Sequence, residues 1–172
     1  WIRRFKGVLK LKRLLYVAFK DFDNLHFGAN AKVLSQCRAF QSYGYTVDLI
    51  GRQGTNTVLI RNGGEPQILR QHKSLFRNKR IENLFAKQNQ IQDIIAHTNN
   101  LQYDACYIRY DFSDHGFISL LKVLRKHCGK IALELPTYPY EEENSSGFLS
   151  KAKISIDLHF RKQLHESVHT VR

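Results

Sequence analysis

Short apolar runs and helical apolar stripes alternate along the whole chain. Residues 14–19 (LLYVAF) are continuously apolar, as in a strand buried on both faces. A polar stretch over residues 20–28 follows, carrying charge, aromatics and a glycine. Val33, Leu34, Cys37 and Phe40 then recur at helical spacing, and Gly44 stands where a helix C-terminal glycine belongs. Residues 46–50 resume an extended pattern. Residues 14–52 therefore predict one strand–helix–strand unit. In such a unit, ligand-binding groups gather at the first strand's carboxyl end and the helix start.

The same rhythm continues. TVLIR (57–61), the turn Asn62-Gly63-Gly64 and QILR (67–70) predict a hairpin at the sheet edge. Ile81, Leu84, Phe85, Ile91, Ile94 and Ile95 mark a helix ending near His97. ACYIR (105–109) is a buried-type strand, Ser113 a helix N-cap, and Phe117, Leu120, Leu121 and Leu124 the stripe of the next helix. KIALEL (130–135) is a further strand, and residues 151–168 a polar amphipathic helix. Strands alternating with helices across short loops predict an α/β fold. The expected form is a Rossmann-like, doubly wound, mostly parallel sheet with helices on both faces and an edge hairpin.

Composition narrows this picture. With 172 residues and 42% hydrophobic content, the chain supports one domain with a real core and is not disordered. Its apolar runs are far shorter than the roughly 20 residues of a membrane helix, and no signal peptide is evident. Cys37, Cys106 and Cys128 lack metal or redox spacing and read as buried, reduced thiols. The chain opens on Trp and holds no Met, which we read as a piece of a longer polypeptide. The net charge of +12 is uneven. Residues 1–13 carry six Lys/Arg and no acid, and read as a basic leader, either loosely ordered or amphipathic against an anionic membrane. Residues 70–87 form a second basic zone, with Glu82 its one acid. That zone reads as a solvated helix entry or an anionic-surface contact.

Beyond the strands' carboxyl ends fall four groups of candidate ligands. They are Lys20, Asp21, Asp23, Asn24, His26, Gly28 and Asn30; Arg52; Arg109, Tyr110, Asp111, Asp114 and His115; and Glu134, Thr137, Tyr138, Tyr140 and residues 141–143. Gly28 and Asn30 at a helix start can hold an anion on backbone N–H groups, or simply make a turn. Glu134 interrupts an apolar strand, so its carboxylate is either paired with a base such as Arg109 or aimed at a ligand. Asp111, Asp114 and His115 suit a helix N-terminus as well as a site. Tyr138 and Tyr140, framed by Pro136 and Pro139, make either a stacking lip or ordinary loop packing. The glycine pattern is too sparse for a dinucleotide fingerprint, and no metal-ligand spacing, Walker A or G-x-S-x-G sequence is present.

The ordered set LLYVAFKDFDN, FGANAKVLSQCRAFQSYGYTVDLIGR, YDACYIRYDFSD and KIALELPTYPYEEE resembles the N-terminal domain of family 4 glycosyltransferases. These are the retaining, GT-B enzymes of bacterial polysaccharide assembly. The resemblance covers about residues 13–172 and implies that this domain, residues 14–172, binds acceptor, while a second domain, absent here, holds a nucleotide-sugar donor as co-substrate. It implies no metal or other cofactor. The family's glycine loop falls on Gly28 and Asn30, and the place of its usual His loop is taken by Glu134 and Thr137, Tyr138 and Tyr140. On this reading, Glu134 and Asp111 are the catalytic candidates. Asp21, Gly28, Asn30, Arg52, Arg109, Tyr110, Asp114, Thr137, Tyr138 and Tyr140 would line the substrate. The expected setting is cytoplasmic and peripheral on the inner face of the plasma membrane. The expected partners are a saccharide or lipid-linked acceptor and an anionic membrane surface, not nucleic acid. A basic nucleotide- or nucleic-acid-binding module, an oxidoreductase and a non-catalytic partner subunit are the competing classes.

Overall fold

The computed structural model describes residues 12–23, 28–135, 148–164 and 168–171. Strands β1 (Lys12–Asp21), β2 (Tyr45–Gln53), β3 (Asn56–Arg61), β4 (Gln67–Arg70), β5 (Ala105–Arg109), β6 (Ile131–Glu134) and β7 (Thr170–Val171) join in one sheet. Their order is β4-β3-β2-β1-β5-β6-β7. β1 pairs in parallel with β2 and β5, β5 with β6, and β6 with β7, whereas β2, β3 and β4 form an antiparallel meander. The edge hairpin is thus present, and its turn places Asn62 and Gly63 at positive φ, as that sequence favours.

Among the described residues, four helices cover the sheet: α1 (Gly28–Ser42), α2 (Lys79–Thr98), α3 (His115–His127) and α4 (Phe148–Arg161). The central position of β1 explains its unbroken apolar run. Leu14, Tyr16 and Ala18 face α1 through Val33 and Cys37, while Leu15, Val17 and Phe19 face the other layer. That second layer is larger, joining Ile91 and Ile94 of α2 to Phe117, Leu120, Leu121 and Leu124 of α3. Leu164, just past α4, and the half-buried Phe160 pack against the same side. The fold is α/β and Rossmann-like, a mostly parallel sheet with helices on both faces. Among the described residues, no helix is long and apolar enough to cross a membrane.

Several expected boundaries move. β1 begins at Lys12, so Lys12 and Arg13 belong to the sheet and not to the basic leader; Arg13 pairs with Asp48 at 3.1 Å and lies over the Tyr103 ring. Residues 1–11 lie outside the described residues. Asp114, not Ser113, caps α3, because its carboxylate accepts from Phe117 N at 2.8 Å while the Ser113 N–H is donated to Asp157 at 2.6 Å. The final helix spans Phe148–Arg161 and stops short of 168, since the chain must turn to bring Thr170 and Val171 beside β6. All three cysteines are free and buried, and burial pushes the Cys37 thiol up to about 12.

Candidate functional site

The chain leaves β1 for β2 on one side of the sheet and returns to β5 on the other. That reversal leaves a crevice at the carboxyl ends of β1, β2 and β5, where sheets of this kind bind ligands. Asp21 and Arg52 stand opposite each other there, as register partners at the ends of β1 and β2, and Asp111 lies two residues beyond β5. Arg52 is only 8% exposed, yet its Nε and Nη1 have no hydrogen-bond partner among the described residues. Burial draws its pKa below the ordinary arginine value, and the charges of Asp21 and Asp111 oppose that shift. Asp21 and Asp111 themselves are exposed.

Local packing fixes this corner. Phe22 N donates to Arg52 O at 2.7 Å, and the Phe22 ring occupies the space a side chain would need at Gly51. The Asp21 carboxylate accepts from Asp23 N at 3.0 Å and Gly54 N at 3.2 Å. Buried Asn30 donates Nδ2 to the Asp21 carbonyl at 2.7 Å, tying the start of α1 to the end of β1. At the first helical position, Gly28 has nothing among the described residues within 4 Å of where a Cβ would stand. The crevice thus offers, among the described residues, one buried cation, two exposed carboxylates and a helix start at Gly28. An anion beside hydroxyl groups matches that set.

Other expected ligands are used within the fold. On the α1 face, Glu134 Oε1 pairs with Arg109 Nη1 at 3.1 Å and Lys32 Nζ at 3.2 Å. Its Oε2 accepts from Gln36 Nε2 at 3.1 Å and the Tyr107 hydroxyl at 3.3 Å. Burial pushes the Glu134 carboxyl up, but hydrogen bonds from Gln36 and Lys32 and the charges of Arg109 and Lys32 outweigh it, holding the group below the usual glutamate value. Of the two readings open for Glu134, the structure displays the pairing. Tyr110 donates its hydroxyl to Asp157 and accepts from Ser113 Oγ at 2.9 Å, and Asp114 binds Gln88 at 3.1 Å and Lys87 at 3.4 Å besides capping α3. Both were expected to face ligand, and in the fold both tie loops to helices. Thr137, Tyr138 and Tyr140, with Asn24, His26 and residues 141–143, lie outside the described residues.

Two networks escaped the sequence reading. Asp93, buried on α2, accepts from Thr57 Oγ1 at 2.5 Å and pairs with His72 Nε2 at 2.7 Å. Lys87 belongs to the interior and not to the basic surface zone. Its Nζ donates to the Phe112 carbonyl at 2.7 Å and lies over the Phe19, Phe112 and Phe117 rings. Lys32 and Gln36 carried the one available signal, since residues four apart on a helix share a face. Among the described residues, no group of three or more His, Cys, Asp or Glu could hold a metal ion. No family model, curated protein or solved structure matches the chain.

Proposed function

We propose that the chain is the acceptor-binding half of a family 4, GT-B glycosyltransferase. Such an enzyme moves a sugar from a nucleotide-sugar donor to a saccharide acceptor, in this reading one carried on a lipid during bacterial polysaccharide synthesis. The observation that carries the proposal is Arg52, a buried guanidinium at the sheet's switch point, two of whose nitrogens have no partner among the described residues, with the charges of Asp21 and Asp111 acting on it. Glycosyl transfer must stabilise a departing diphosphate and hold an acceptor hydroxyl in line with the sugar. Arg52 and the α1 N-terminus at Gly28 suit the first demand. Asp21 and Asp111 suit the second, by accepting hydrogen bonds from sugar hydroxyls. Asp111 is the catalytic candidate in the crevice, whereas Glu134 acts as a positioning residue that fixes Arg109. A second domain supplies the donor, which enters as co-substrate.

The test is to titrate the gene product that includes this second domain with uridine, guanosine and thymidine diphosphate sugars. Nucleoside diphosphate release is followed with and without saccharide acceptors. Binding of one donor and acceptor-stimulated release are expected. Neither binding nor release with any donor would sink the reading.

A further inference from the structure

The entry to α2 carries a surface that the crevice does not explain. Leu75, Ile81, Leu84 and Phe85 are 72%, 41%, 55% and 49% exposed. Ile81, Leu84 and Phe85 are spaced i, i+3, i+4 and so share one face of the helix. The core-facing positions, Ala86, Gln90, Asp93 and Ile94, fall on the opposite face. Phe76 stacks on Phe85 with ring centroids 4.5 Å apart, which joins the preceding loop to this face. Farther along the helix, the same face turns polar at Gln88 and Gln92, so the apolar patch is confined to the first two turns.

The rim is cationic. Lys73, Arg77 and Lys79 are exposed around the patch. Glu82, the one acid within residues 70–87, accepts from Leu75 N at 3.2 Å and Phe76 N at 2.8 Å, so its carboxylate is engaged with the loop backbone. Grouped apolar side chains with a basic rim match a lipid surface that is apolar below and anionic at its headgroups. A soluble protein partner would need complementary acids around an apolar pocket. A second copy of this chain would bring the same cations into opposition.

We infer that the α2 entry, Leu75 to Phe85, is the docking surface for an anionic membrane. It stands beside the crevice mouth, because one to two turns later Lys87 and Gln88 bind the Phe112 carbonyl and Asp114 just past β5. The surface stands on its own residues. Only its purpose, bringing the crevice to a lipid-carried acceptor, rests on the glycosyltransferase reading.

The test is co-sedimentation of the full chain with vesicles of phosphatidylcholine alone or mixed equally with phosphatidylglycerol. Leu84→Ser/Phe85→Ser and Lys73→Glu/Arg77→Glu variants are compared, with circular dichroism confirming their fold. Expected are binding to the mixed vesicles, little to the neutral ones, and a loss of about tenfold or more in either variant. Should the serine variant fail to fold, the charge-reversal variant decides alone. Equal binding to neutral vesicles, no binding at all, or binding undiminished in the folded variants would overturn the inference. So would a self-associated wild-type chain that becomes monomeric in the variants, since the patch would then be a subunit interface. No nucleotide sugar enters the assay, so its failure leaves the proposed activity standing, and the reverse also holds.

Discussion

Arg52 and Arg109 end the two strands that flank β1, both nearly buried, and their surroundings call for opposite behaviour. Arg109 is matched by Glu134 at 3.1 Å, so removing the Glu134 charge strands Arg109, whereas Glu134 also holds Lys32 at 3.2 Å. Glu134→Gln should cost about 3 kcal/mol in urea denaturation near neutral pH. Because the folded state depresses the Glu134 pKa, the stabilisation is complete above the unfolded glutamate value of 4.5 and is lost as pH falls through the folded value. The gap between wild type and variant should therefore close on acidification; a gap independent of pH would mean the carboxylate's charge is not what matters. Arg52 has no such match. Arg52→Met should leave stability within about 1 kcal/mol of wild type or raise it, while weakening donor or acceptor binding about tenfold or more in titration calorimetry. A large loss of stability would instead identify Arg52 as a structural charge held by Asp21 and Asp111. Residue types at strand ends were legible in the sequence. The Arg109–Glu134 pair was one of two readings open there, and what decides between them is strand register, since the two residues are 25 apart in the chain.

At the scale of elements, the crevice corner depends on a glycine and a cap. Gly51→Ala drives a methyl into the Phe22 ring, and overpacking of this kind costs about 1–3 kcal/mol. Thermal melts should show that loss for Gly51→Ala alone, and its partial recovery when Phe22→Leu is added. Asp114→Ala should cost about 2 kcal/mol, more than an isolated cap, because buried Lys87 and Gln88 lose a partner together with the Phe117 N–H. Most elements could be read from periodicity, since β1, β5 and α3 each bury the side chains their spacing selects. The errors have local causes. Ser113 and Asp114 are both competent caps; in the fold the Asp114 carboxylate accepts from Phe117 N, while Ser113 Oγ is engaged with the Tyr110 hydroxyl. Leu164 continues an apolar spacing that begins inside α4, yet it reaches the core from beyond the helix end. β7 has two residues, too few for any alternation to show.

At the scale of the molecule, the sheet is stable at its centre and weak at its margins. β1 is buried along six consecutive residues and paired on both sides, whereas β4 is four residues long and exposed at three of them. Amide hydrogen exchange should therefore be slowest in β1 and β5 and fastest in β4, with β2 between; rapid exchange in β1 would contradict this architecture. The α/β class and strand alternation were visible in the sequence because burial on two faces leaves continuous apolar runs. The Asp93–His72–Thr57 network was not, because it joins a helix, a loop and the strand next to the sheet edge through polar residues that each read as surface.

The three buried thiols divide between the two layers. Cys37 lies under α1, while Cys106 and Cys128 lie together on the α2–α3 side. A thiol-modifying reagent can reach each only when its own side of the sheet parts from the strands. The molecule thus carries two native clocks. The modification rate at Cys37 times the lifting of α1, whose start adjoins the crevice, and the rate at the other pair times the opposite layer, so peptide mapping can tell whether the two faces open together or apart.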